Sequence, residues 1–281
     1  MERTRGLWGW SRWLKGWSKL PVPGAPGGKV DVLLTARRGM DAEMSRQVLS
    51  REKALRQDHD PIEWRDFGAG CPPGGTLRQS RISELAQRAA SDPRKGRWLM
   101  AAARAAAPSS QAALRILELG TCLGSGADYL MAGAPAGAEY VGLEGSPALA
   151  DRTAARLEEH RLAGKQAEVR PGPFSATLPA LVKEDRPFDL FFLDGLHEGD
   201  RLREQWQQLE PLMAPNAVAV IDDIRWSRSM HEAWSQLATC SGWAAIDLFR
   251  MGILARCNGG DWKAERPHTG TTWRSPWLLR A

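Results

Sequence analysis

Two groups of residues in this sequence have the types and spacing to do chemistry. The first is Glu118-x-Gly120-x-x-x-Gly124-x-Gly126, which follows the apolar run Ile116, Leu117 and Leu119. Glycines let the backbone approach a ligand closely, and the helical pattern through residues 128–131 then offers its N-terminal amides. The spacing is not that of a dinucleotide fingerprint, Gly-x-Gly-x-x-Gly, and the Gly-Lys-Ser/Thr of a phosphate loop is absent. The second group is acidic. Asp194 ends one apolar run and His197 follows it, while Asp222 and Asp223 end another run. Three carboxylates converging on one edge are costly unless a cation compensates them. That cation is either a charged ligand or a divalent metal held by oxygens. Histidine can take a hydroxyl proton near neutral pH.

Positioning these residues takes an alternation of strands and helices. Strands are expected at 115–119, 140–144, 167–170, 188–194 and 217–222, with a helix at 147–163. The runs 243–249 and 251–255 have almost no connection between them, so they pair antiparallel; a parallel crossover needs a dozen residues or more. In open parallel sheets the ligand crevice lies beyond the carboxyl ends of the strands, where Glu144, Asp194 and Asp222 all fall. An acid at the end of the second strand, Glu144, can accept hydrogen bonds from both hydroxyls of a ribose. Gly145 and Ser146 follow it, with Ser146 and Pro147 reading as a helix start.

The glycine turn resembles the S-adenosylmethionine loop of class I methyltransferases, with Glu144 in register behind it. The resemblance covers about residues 115–256. It implies an α/β, Rossmann-like, seven-stranded and mostly parallel sheet with an antiparallel last strand and helices on both faces. It assigns Glu118, Gly120, Thr121, Gly124, Ser125, Gly126, Glu144, Gly145, Ser146 and Asp194 to the cofactor, with Phe174 against the adenine. In catechol-type O-methyltransferases a strand-four Asp and an acidic pair after strand five bind magnesium, which puts Asp194, Asp222 and Asp223 forward as metal ligands. Those enzymes commonly carry a lysine base shortly after the first Asp, and His197 stands there in this sequence. The Asp-Gly-x-His pattern is closer to a less characterised bacterial branch. The expected reaction is methylation of a small-molecule hydroxyl, with Asp194 and His197 catalytic and Arg225, Trp226 and Asp66 meeting the substrate. An RNA (tRNA) methyltransferase and a non-catalytic cofactor-fold module are the other classes left open.

The flanks read differently. Residues 1–28 combine a tryptophan-rich basic tail with a Pro/Gly linker, and the face of residues 7–17 suits a membrane surface. Residues 29–110 read as a helical extension or lid, with helices at 41–57, 80–90 and 98–107 and a long loop at 64–75 between them. The domain proper is expected at 111–256, with a tail at 257–281. A net charge of +5 permits an anionic partner without demanding one, and no basic stripe with interleaved aromatics marks nucleic-acid binding. Four cysteines with no CxxC pair make a reduced, cytoplasmic protein the default, and a homodimer the assembly to be tested.

Overall fold

The computed structural model describes residues 42–256, except 73, 111 and 196, together with residues 33 and 272–274. The expectation of a membrane-facing segment at 7–17, the linker to 28 and most of the tail from 257 lie outside the described residues. Among the described residues no helix is long and apolar enough to cross a membrane.

The sheet is built from β3 (Arg115–Leu119), β4 (Glu139–Glu144), β5 (Gln166–Pro171), β6 (Phe188–Leu193), β7 (Met213–Ile221), β8 (Trp243–Asp247) and β9 (Gly252–Arg256). Its order runs β8-β9-β7-β6-β3-β4-β5, and β9 alone is antiparallel to its neighbours. The expected sheet is therefore present, with its last strand, β9, antiparallel between β7 and β8. A short eighth strand, β10 (Thr272–Arg274), pairs parallel with β8.

Side chains alternate across the sheet with period two. Ile116, Leu190, Phe192, Val218 and Val220 face one core, with Leu99, Met100, Leu130 and Met131. Leu117, Leu119, Phe191, Leu193 and Ile221 face the other, with Leu178, Leu202, Trp206 and Trp234. Each fully buried Leu or Phe contributes about 1.5–3 kcal/mol of transfer free energy. Burial on both faces explains why these strands read as continuous apolar runs.

Ahead of the sheet come α1 (Ala42–Gln57), β1 (Pro61–Asp66), β2 (Thr76–Arg81), α2 (Ile82–Ala89) and α3 (Pro93–Ala106). Here the sequence reading needs correction. Strands β1 and β2 form an antiparallel hairpin, so residues 64–66 are strand, and the loop is confined to 67–75. The strands are half exposed and polar, which hid them from an apolar-run search. Helix α3 also begins five residues before the expected position of 98, at an Asp92-Pro93 start in which the Asp92 carboxylate accepts from the Arg94 and Lys95 amides at 2.8 and 3.0 Å. A third apolar cluster, Ile82, Leu85, Leu123 and Leu149 with Ile62 and Trp64 against it, fastens this extension directly to the glycine turn.

The domain is completed by α4 (Ser125–Gly133), α5 (Pro147–Arg156), α6 (Glu158–Leu162), α7 (Phe174–Glu184), α8 (Gly199–Leu209) and α9 (Arg228–Leu237). The helix expected at 147–163 is thus two, α5 and α6. Helices α3 and α4 approach until backbone touches ring: a Cβ on Gly96 would overlap the Tyr129 ring, and one on Gly133 would overlap the Met100 backbone.

Candidate active site

The carboxyl ends of β3, β4, β6 and β7 meet at one edge, tied by backbone hydrogen bonds from Gly120 to Leu143, Asp194 to Leu119 and Asp222 to Leu193 at 2.9–3.0 Å. Gly120 has φ +89°, and a Cβ there would lie 2.5 Å from the Asp194 carbonyl oxygen, so only glycine brings these two strand ends together. Cys122, His197 and Asp223, all in loops at this edge, also have left-handed backbone, with φ of 48°, 26° and 47°. Such conformations are held against local strain by their surroundings.

Glu144 sits where the ribose-binding acid is expected. Its carboxylate accepts from the Cys122 and Ser146 amides at 2.8 and 2.9 Å, drawing the glycine turn to the end of β4. Burial raises its pKa, and these amides pull it back. A carboxylate has about four lone-pair sites, so it retains acceptor capacity for a diol. Glu118 is only 1% exposed. One of its oxygens accepts from the Tyr140 hydroxyl at 2.6 Å, and burial raises its pKa to about 8 against that hydrogen bond. Its other oxygen faces Gly126.

Other expected cofactor residues have structural partners. Ser125 Oγ accepts from the Ser91 amide at 2.9 Å, fixing the start of α3. Ser146 begins α5 without a side-chain cap; its Oγ accepts instead from the Arg65 amide at 3.1 Å. Thr121 bonds Thr153 at 3.3 Å. The Phe67 ring lies against Gly145, and the Phe174 ring lies against Gly195. Two rings thus flank the mouth of the site, one from the loop 67–75 and one from α7.

Asp194, His197 and Asp222 come together as expected. His197 Nε2 is 3.7 Å from Asp194 Oδ1, an ion-pair separation longer than a hydrogen bond, and its ring centroid is 5.6 Å from that of Trp226. Trp226 is 42% exposed, which leaves its face open to a ligand. Sequence reasoning missed Lys95 entirely. Its Nζ donates to Asp194 Oδ2 at 3.0 Å and to Asp222 Oδ2 at 2.5 Å, and lies 5.3 Å from the Phe192 ring centroid. Burial and the Asp222 charge push the Asp194 carboxyl up to about 7 despite Lys95 and His197. Burial also opposes ionisation of Asp222, but the adjoining ammonium outweighs it and holds Asp222 below the usual range.

The donor set therefore does not fit a divalent ion as it stands. The Lys95 ammonium already takes one oxygen of each of Asp194 and Asp222, and Asp223 Oδ1 is 3.5 Å from Arg250 Nη2. Among the described residues no group of three or more His, Cys, Asp or Glu is arranged to hold a metal.

Two expected substrate contacts have partners within the protein. Arg225 is 8% exposed and makes a two-pronged pair with Asp247 at 2.8 and 2.6 Å, plus a bond to the Phe249 carbonyl. Its guanidinium braces the strand edge and does not face the crevice. Asp66 accepts from the Gly68 amide at 2.9 Å and faces Arg78 at 3.5 Å, so it shapes its own loop.

Residues 117–224 match the model of a family described as a methyltransferase domain. No curated protein matches the chain. Among solved structures, an O-methyltransferase from Bacillus cereus in complex with SAH is similar at 19% identity and TM-score 0.54, covering 82% of this chain and 98% of that one. The O-methyltransferase TomG from Streptomyces achromogenes, in complex with SAM, is similar at 21% identity and TM-score 0.51, covering 83% and 97%. The SAH-bound methyltransferase PaMTH1 of Podospora anserina aligns at 15% identity and TM-score 0.52, covering 85% and 100%. At these identities the likeness is one of fold.

Proposed function

We propose that this chain, an S-adenosylmethionine-dependent methyltransferase of the class I fold, methylates a hydroxyl of a small molecule with His197 as the base. The observation that carries the reading is His197 beside Asp194 and Trp226, at the edge where the glycine turn ends. When bound, S-adenosylmethionine supplies a methyl on a cationic sulfur, which departs with the bonding electrons. Glu144 would take the ribose hydroxyls, Glu118 would serve the amino-acid end, and Phe67 and Phe174 would enclose the adenine. Trp226 would hold the acceptor by stacking, and His197 Nε2 would take the proton from its hydroxyl. The adjacent Asp194 carboxylate stabilises the imidazolium that results. The site mainly orients reactants and excludes water, with the loop 67–75 as its lid. The Lys95 ammonium already occupies Asp194 and Asp222, the carboxylates that magnesium-assisted deprotonation would use.

The test is formation of S-adenosylhomocysteine with a panel of phenols, catechols and aliphatic alcohols, and with tRNA as a separate acceptor. Turnover on a hydroxylated compound, reduced roughly 10²–10⁴-fold in His197→Ala with unchanged S-adenosylhomocysteine affinity, is the expected result. Turnover on tRNA alone would overturn it. Membrane attachment through residues 7–17, a homodimer and a cytoplasmic setting belong to the same proposal. Vesicle co-sedimentation and sedimentation velocity test the first two, and fractionation the third.

A further inference from the structure

Lys95 is the one residue at this edge that neither the glycine turn nor the acidic pair announces. It lies in the first turn of α3, where the helix macrodipole is positive and a lysine is electrostatically misplaced. Nothing on α3 explains it there. What compensates it comes from two distant strand ends: Asp194 Oδ2 at 3.0 Å and Asp222 Oδ2 at 2.5 Å, with Lys95 15% exposed and Asp222 7%.

Its seat is built. The Asp92 cap and Pro93 fix where α3 begins, the Ser125 hydroxyl holds the Ser91 amide, and the Gly96 contact with Tyr129 sets the depth of the helix. A shift of α3 that withdrew the ammonium would break all three. The point on which two of the three acids converge is this ammonium itself. Asp222 is committed to Lys95, Asp223 leans toward Arg250, and Asp194 divides its oxygens, Oδ2 to Lys95 and Oδ1 toward His197.

We infer that the Lys95 ammonium is the resident cation of this carboxylate edge, taking the place of a divalent metal and turning Asp194 so that its second oxygen faces His197. Lys95 is thus a positioning residue acting through Asp194, and the chain needs no divalent metal. The functional side of this inference rests on the hydroxyl-methylation reading; the cation assignment does not. A buried carboxylate pair deprived of its cation recruits another or takes up a proton.

The test uses the full chain, freed of metal with EDTA, titrated with Mn2+ and followed by electron paramagnetic resonance, for the natural sequence and for Lys95→Ala and Lys95→Arg. The natural protein is expected to leave Mn2+ free up to millimolar concentration. Lys95→Ala should bind it at least tenfold more tightly, and Lys95→Arg should again refuse it. Calorimetry of S-adenosylhomocysteine in EDTA and in Mg2+ should give affinities within twofold of each other for the natural protein. Micromolar Mn2+ binding by the natural protein, or equal Mn2+ binding by it and Lys95→Ala, would overturn the inference. If Lys95→Ala does not fold, the natural protein's own Mn2+ titration still decides. Absence of S-adenosylhomocysteine binding under every condition would sink the functional reading and leave the Mn2+ result to judge Lys95 separately.

Discussion

Glu118 and Glu144 are buried carboxyls whose charged forms are disfavoured by desolvation, yet their partners differ. Glu144 is held by backbone amides, which favour its ionised form; Glu118 has a single tyrosine hydroxyl. Truncating Glu144 to alanine removes hydrogen bonds to a charged acceptor, worth about 1.5–3 kcal/mol each. S-adenosylhomocysteine affinity in calorimetry should fall roughly ten- to hundredfold, since 1.4 kcal/mol is a factor of about ten. Glu118 makes a pH prediction. Its pKa rises from 4.5 to about 8 on folding, so the folded protein holds the proton more tightly than the unfolded chain. That contribution to stability is complete below pH 4.5 and is lost as pH rises to about 8. Thermal melts should show Tm declining over this window, and Glu118→Gln should flatten the decline. An unchanged slope in that variant would place the titration elsewhere. The placement of these acids was legible because Glu144 closes an apolar run and Glu118 stands just before the glycine turn. Lys95 was not, because its partners lie 99 and 127 residues away, and no local pattern encodes a contact of that span. Arg225 was misread for a related reason: its partner Asp247 ends β8, 22 residues further along and beyond a whole helix.

At the scale of elements, the tightest joint is where α1, α4, α5 and α6 meet around Asp128. This carboxylate is fully buried and receives Arg51 and Arg156 at 2.8 Å and His160 at 2.7 Å, while Glu52 pairs with Arg156 at 2.7 Å. Removing one partner of such a cluster leaves uncompensated buried charge and typically costs about 3–5 kcal/mol. Asp128→Ala should lower the midpoint of urea unfolding accordingly, whereas Asp200→Ala, whose side chain is 90% exposed, should leave it near the original value. Strand and helix alternation from β3 onward was readable because burial on both faces writes itself as Val, Leu, Ile and Phe. The hairpin β1–β2 was hidden because each strand buries little and alternates exposed with half-exposed positions. The start of α3 was in plain view at Asp92-Pro93 and was passed over in favour of the alanine-rich run behind it.

Across the whole molecule, the extension ahead of the sheet does not form a separate body beside the α/β domain but contributes to its centre. It supplies Lys95 from α3, Phe67 from the hairpin loop and the apolar cluster beneath the glycine turn. Folding of the two parts should therefore be one event. Fluorescence and far-ultraviolet dichroism should report a single urea transition, and saturating S-adenosylhomocysteine should raise its midpoint. Two transitions would show that the extension folds on its own.

The hairpin is tied to the α/β domain at Arg65, whose amide donates to Ser146 Oγ at 3.1 Å, and at Gly70, whose amide donates to a Glu198 carboxylate oxygen at 3.1 Å. Just past Gly70 it carries Cys71, a free and partly exposed thiol. That thiol is a natural reporter for traffic through the mouth of the site. Its alkylation should slow when S-adenosylhomocysteine occupies the crevice, and if departure of the spent nucleoside sets the pace of turnover, added viscogen should slow catalysis in proportion.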